Sequence, residues 1–199
     1  MPLAAGLEMS IGQLLLILAI SMMAELADKT MIAAILMVRA QSGPRVIAAA
    51  AIGIGAQALI ASYLAFFVRS EVSGAVLHEV SAIVMLAIGV VLAVVGFRHE
   101  EEEEEDLPPT RAPLFKLALI FFLAEIGDVT QATTAGFALS FGQPLLVALA
   151  ATAGMTGAIS VGVTVGKAAE RIPRRWLYLA AGGVLVVLGA LALAGVPVP

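Results

Sequence analysis

The 199-residue chain contains no cysteine, which removes disulfides, thiolate metal sites and cysteine nucleophiles together and argues against zinc or copper chemistry. Charge is also scarce: 13% of residues are charged and 61% apolar, where soluble domains sit near ~25% and ~45–50%. With a mean hydropathy of +1.03, this is the composition of a membrane-embedded protein, and a water-soluble enzyme is close to excluded. At ~20 apolar residues per crossing, the length has room for about six helices and no separate soluble domain. No basic residue precedes the first apolar stretch, so that stretch reads as a retained crossing rather than a cleaved signal. The formal net charge of -4 comes from one acidic run, Glu100 to Asp106, and the rest of the chain is net positive. It gives no reason to expect nucleic-acid partners.

Apolar runs fall at 11–38, 45–68, 76–97, 113–141, 144–166 and 175–195, each long enough to cross a ~30 Å hydrocarbon layer as a helix. A membrane barrel would show ~10-residue alternating segments instead. The expected fold class is an all-α membrane protein with six transmembrane helices.

Laid over itself at an offset of 100 residues, the chain repeats. Ala24-Glu25-Leu26-Ala27-Asp28-Lys29-Thr30 falls on Ala124-Glu125-Ile126-Gly127-Asp128-Val129-Thr130, and Pro44 and Gly89 fall on Pro144 and Gly189. Each copy holds three crossings, an odd number, so the second must enter the membrane from the opposite side. The expected organisation is a first three-helix repeat at 1–98, an acidic linker at 99–112 and a second, inverted repeat at 113–199. Such halves can rock about a shared midplane site in secondary transporters. Nine basic residues (Arg39, Arg45, Arg98, Arg111, Lys116, Lys167, Arg171, Arg174 and Arg175) lie on the side of the linker, and Arg69 alone on the other. The positive-inside rule makes the linker side cytoplasmic and puts both termini outside the cytoplasm.

Only four acidic residues lie well inside the apolar runs: Glu25, Asp28, Glu125 and Asp128. Each costs about 2.5–3.5 kcal/mol at bilayer depth, so the four together need a reason. A spacing of three predicts each Glu and Asp on one helix face, about a turn apart. Thr30, Thr130 and Gln131 add neutral oxygens. Brought together across the pseudo-twofold, these groups form an all-oxygen cluster suited to calcium or manganese. Only Lys29 is available inside the crossings to neutralise an acid; it can pair with Glu25, which would leave Glu125 and Asp128 the more anionic half. Without a metal, carboxylates so placed persist only by holding protons. A metal must displace those protons, and their return must weaken its binding.

Several neighbours are open to two readings. Gln57 and Thr156 either face the site or make interhelical hydrogen bonds. Gly127 either unwinds the helix or provides a packing contact, while the Ala49/Gly53 and Gly162/Gly166 pairs suit close helix approach. Met22, Met23 and Met31 flank the first motif as filler or as soft ligands. His78 and His99 read as surface residues, and Gln13 and Ser21 have no assigned part. The acidic run is a solvated linker or a cation collector at the cytoplasmic mouth.

Glu25-Leu26-Ala27-Asp28-Lys29-Thr30 and Glu125-Ile126-Gly127-Asp128-Val129-Thr130-Gln131 resemble the duplicated Glu-x-Gly-Asp-Lys/Arg-Thr/Ser motif of the GDT family, small calcium/manganese transporters of the calcium/cation antiporter group. The resemblance covers both repeats and implies that Glu25, Asp28, Glu125 and Asp128 bind the metal with Thr30, Thr130 and Gln131 nearby. The chain departs from the motif at Ala27, where glycine is usual, and at Val129, where a base is usual. Bacterial members resemble manganese exporters, and the Ala/Gly/Val-rich, Arg-over-Lys usage here looks prokaryotic. The expectation is therefore a transporter of a bacterial inner membrane, not an enzyme, exporting manganese or calcium for protons by alternating access. It needs no cofactor beyond its cargo, and its oligomeric state is open. Two other classes share the pattern: a proton-coupled exporter of amino acids or similar solutes, and an intramembrane aspartyl protease using Asp28 and Asp128.

Overall fold

The computed structural model describes residues 9–26, 28–38, 40–71, 74–98, 112–165 and 174–195. The linker at 99–111, Ala27, Arg39 and the side chains of Lys29 and His78 lie outside that description, so the expectations resting on them do too. Among the described residues the chain is all-helical: α1 (Ile11–Leu26), α2 (Lys29–Met37), α3 (Gly43–Ser70), α4 (Gly74–Arg98), α5 (Leu114–Ala124), α6 (Val129–Phe141), α7 (Pro144–Val165) and α8 (Arg174–Leu193). Four apolar runs of the sequence each become one helix. The first and fourth become two helices apiece, with the break at the acidic motif.

Sequence signals explain the helix ends. Ser10 and Gln13 form a reciprocal capping box: the Ser10 backbone N–H donates to Gln13 Oε1 at 2.9 Å, and the Gln13 N–H donates to Ser10 Oγ at 3.1 Å. This gives Gln13 a role. Pro44 sits in the first turn of α3, where a missing N–H costs nothing. Gly142 ends α6 in the left-handed region at φ 69°, its N–H donating to Ala138.

Of these helices, α3 and α7 are each long and apolar enough to cross a membrane, and shorter apolar stretches run over Ile11–Leu26, Ala82–Val94, Leu114–Ala124 and Leu179–Leu193. The outer surface is apolar as well: Leu15, Ile52, Phe67, Phe115, Leu149 and Val187 are each more than half exposed. In water such a surface would aggregate; facing lipid it is favourable. The chain is a membrane protein.

The helices pack through glycines at reciprocal positions. A Cβ on Gly89 would fall 2.7 Å from the Val186 nitrogen and 2.8 Å from the Gly182 oxygen, and one on Gly189 would fall 2.8 Å from the Leu86 nitrogen and 2.9 Å from the Ala82 oxygen. Adding 100 to each residue of α4 reproduces the contact seen from α8, which is the self-complementarity that a twofold axis demands. Numbers fall along α4 as they rise along α8, so the two run antiparallel. Gly43 against Val163 and Gly55 against Thr152 give α3 and α7 the same relation. Gly53 of α3 presses on the Ala118 carbonyl of α5, while Gly154 of α7 presses on the Leu18 carbonyl of α1. Each long central helix therefore packs on the broken helix of the other half, with close backbone approach of the kind small residues permit in membranes.

Candidate functional site

Both motifs build the same local structure. Helix α1 stops at Leu26 and α2 restarts at Lys29, with Asp28 as N-cap in extended conformation (φ -90°, ψ 161°). In the second half Glu125 is the C-cap of α5 and Asp128 the N-cap of α6 (φ -80°, ψ 164°). Tight turns close both breaks, the Asp28 N–H donating to the Glu25 carbonyl at 3.0 Å and the Asp128 N–H to the Glu125 carbonyl at 3.2 Å. The expectation that Glu and Asp share one helix face is thus corrected. An aspartate accepts amide hydrogens at a fresh helix N-terminus more favourably than it sits in a helix interior. Gly127 takes φ 78° with no atom within 4 Å of where a Cβ would be, so of its two readings the unwinding holds and the packing contact does not.

The caps are specific. Asp28 Oδ2 accepts from the Thr30 N–H at 3.2 Å and from Thr30 Oγ1 at 2.7 Å. Asp128 Oδ2 does the same for Thr130, at 3.5 and 3.2 Å. Each threonine hydroxyl also touches its glutamate: Thr30 Oγ1 is bonded to Glu25 Oε1, and Thr130 Oγ1 to Glu125 Oε2. In each half one threonine hydroxyl thus lies between the carboxyls of its glutamate and its aspartate.

The two triplets meet. One carboxylate oxygen each from Glu25, Asp28 and Glu125 lie within 4.8 Å of one another, all three residues buried. Glu125, Asp28 and, more weakly, Asp128 act electrostatically on Glu25. Asp128 is half-buried and is not among the three residues whose oxygens converge, so three of the four expected carboxylates meet. The breaks matter to the charge here, since the carbonyl ends of α1 and α5 carry partial negative charge toward the cluster while the amide ends of α2 and α6 are taken up by the aspartates. Three converging acids and helix carbonyl ends in an apolar surround form an environment for a hard divalent cation.

Gln131 holds the second break together, its Oε1 accepting from the Gly127 N–H at 2.6 Å. A small cavity beside Glu125 is lined by Gln57, Gln131, Thr134 and Met155. Thr134 and Met155 were not singled out from sequence; the cluster Thr130, Thr133, Thr134 in an apolar helix was the available signal for the first, and a methionine in an apolar run gives none for the second. Thr156 does not line this cavity, and its buried hydroxyl has no hydrogen-bond partner among the described residues. Met31 packs into the notch of Gly162, where a Cβ would fall 2.8 Å from its Cγ, as filler. Arg69 donates to the Leu139 and Ser140 carbonyls at the end of α6.

The family model described as divalent cation/proton antiporter GDT1 matches residues 13–100 and 113–196, which takes in both motifs and nearly all of the described structure. The chain belongs to this family. No curated protein and no solved structure matches the chain. In this GDT1-family antiporter, therefore, cargo and counter-ion are a divalent cation and protons.

Proposed function

We propose that this antiporter exports manganese, with calcium as a second cargo, from a bacterial cytoplasm in exchange for protons. The chain crosses the inner membrane six times as two inverted three-helix repeats, 1–98 and 113–199, joined by the cytoplasmic linker 99–112, with both termini outside the cytoplasm. Antiparallel packing of the repeat-equivalent pairs α4/α8 and α3/α7 supports the inversion. In this reading α1 with α2, and α5 with α6, are each one crossing interrupted at the midplane, as in transporters whose broken helices line a substrate site.

The observation that carries the proposal is the convergence of Glu25, Asp28 and Glu125 within 4.8 Å from the breaks of both halves. Glu25, Asp28, Glu125 and Asp128 ligate the ion, with Thr30 and Thr130 beside them. On the cytoplasmic side the deprotonated cluster takes the cation. On the far side protons return to the same carboxyls, restore the threonine bridges and release it. Ion and protons compete for one set of oxygens, so neither half of the cycle proceeds without the other. Alternating access follows if the two halves rock about the shared cluster.

The test is uptake into proteoliposomes under an imposed pH gradient, comparing manganese, calcium and magnesium. Gradient-dependent uptake of manganese above calcium, with little magnesium, is the expected result. Asp28→Asn and Asp128→Asn should each abolish it. Full transport by either variant, or uptake that ignores the gradient, would overturn the shared site.

A further inference from the structure

The cavity beside Glu125, one of the three converging acids, is lined by Gln57, Gln131, Thr134 and Met155, with Ile54 and Ala58 completing it. Its volume is about 10 Å³, near that of a single water-sized group. Gln57 sits midway along α3 at 3% exposure, and its side-chain oxygen has no hydrogen-bond partner among the described residues. A buried carbonyl left in that condition is costly, a cost that a cation within its reach removes. The other neutral groups of the wall are engaged: Gln131 Oε1 accepts from the Gly127 N–H at 2.6 Å, and Thr134 Oγ1 donates to the Thr130 carbonyl at 2.9 Å.

The opposite half offers nothing equivalent. At the 100-residue offset Gln57, Gln131 and Thr134 correspond to Gly157, Met31 and Ala34, and Met31 and Ala34 are fully buried in apolar surroundings. Beyond the two threonine hydroxyls, the neutral oxygens thus come from the α3–α6 wall, and the site is asymmetric there.

We propose that Gln57 supplies a neutral oxygen ligand to the transported ion and is the residue that lets the site hold calcium as well as manganese. This rests on the ion reading of the acid cluster given above. At one oxygen per carboxylate, four carboxylates and two threonine hydroxyls supply six oxygens, enough for a six-coordinate ion such as manganese. Calcium takes ~6–8 oxygens at longer reach and is the ion that gains from a seventh, the amide oxygen. Removing that oxygen therefore penalises calcium more. Met155, on the same wall, is a donor that calcium does not use.

The experiment is calorimetric titration of the purified full-length protein with calcium and with manganese, for wild type, Gln57→Leu and Gln57→Glu, each first checked for a monodisperse elution profile. Gln57→Leu should weaken calcium binding by about ten-fold or more and manganese by less than about three-fold, each 1.4 kcal/mol counting as ten-fold. Equal losses for both ions, or no loss, would overturn the role of Gln57 while leaving the acid cluster standing. No saturable binding of either ion by wild type would overturn the ion reading itself, and this proposal with it. Should Gln57→Leu fail to fold, Gln57→Glu decides: a fifth carboxylate on the ion must tighten calcium binding and steepen its rise with pH, and unchanged affinities for both ions would overturn the assignment.

Discussion

Replacing Gly127 with alanine tests whether the break in the second motif is set by backbone conformation. Gly127 has φ 78°, a region that costs a side-chain-bearing residue about 1–2 kcal/mol. Alanine is also favoured over glycine within continuous helix by about 1 kcal/mol. No atom lies within 4 Å of the added Cβ, so no clash contributes and the whole effect falls on the choice between a broken and a continuous helix. The two terms together favour continuation by about 2–3 kcal/mol, or roughly 30-fold or more; the first motif keeps its break with alanine at 27 under the tighter Asp28–Thr30 cap (2.7 and 3.2 Å), whereas the second, with Asp128–Thr130 contacts of 3.2 and 3.5 Å, leans on its glycine. Continuation moves Asp128 from its capping position and frees Gln131 from the Gly127 N–H. Manganese affinity, read by calorimetry, should fall about ten-fold or more in Gly127→Ala. Gly127→Asn is the control, because asparagine tolerates the left-handed region; it should stay within about three-fold of wild type. Identical behaviour of the two variants would refute the reasoning, since the site would then not depend on the conformation that glycine allows.

Two further predictions concern packing. Removing the guanidinium in Arg69→Met leaves the Leu139 and Ser140 carbonyls without their charged donor and should destabilise the protein by about 1.5–3 kcal/mol, seen as a lower thermal midpoint in detergent that Arg69→Lys recovers in part. Gly89→Ala and Gly189→Ala each drive a Cβ into facing backbone, so overpacking should cost about 1–3 kcal/mol at both. A Cβ on Gly183 meets nothing within 4 Å, and Gly183→Ala should be neutral or stabilising in the same melt. A large loss at Gly89 with none at Gly189 would contradict the reciprocal contact of α4 and α8.

Much of this architecture was legible because membrane burial writes itself into composition. The apolar runs at 45–68 and 144–166 became α3 and α7 with ends shifted by at most two residues, since a helix crossing lipid must satisfy its backbone internally and shows this as unbroken hydropathy. The acids were legible for the converse reason, being costly where they stood. The breaks were not, because Ile11 to Val38 and Pro113 to Phe141 read as continuous hydropathy, and a spacing of three between Glu and Asp fits an unbroken helix as well as a capped turn. Asp28 with Thr30 and Asp128 with Thr130 carried the missing signal: an acid followed by a hydroxyl residue marks a helix start. Ser10-x-x-Gln13 is a capping box of the same kind, readable in advance.

What no local pattern in the sequence could supply is the exchange of partners that makes the site common to both halves. Had α3 packed on α1 and α7 on α5, each motif would sit against its own repeat, and the two Glu-Thr-Asp triplets would face separate surroundings. Instead Gly53 admits the Ala118 carbonyl and Gly154 the Leu18 carbonyl. Leu18 lies two turns before Glu25 on α1, and Ala118 two turns before Glu125, so these backbone contacts fix the depth at which each helix breaks. Phe121, buried at 1%, fills the turn between contact and motif in α5, and Ser21 occupies the equivalent place in α1. The convergence of Glu25, Asp28 and Glu125 within 4.8 Å is therefore a consequence of two glycines on the long helices, each bringing the other half's broken helix to a single level.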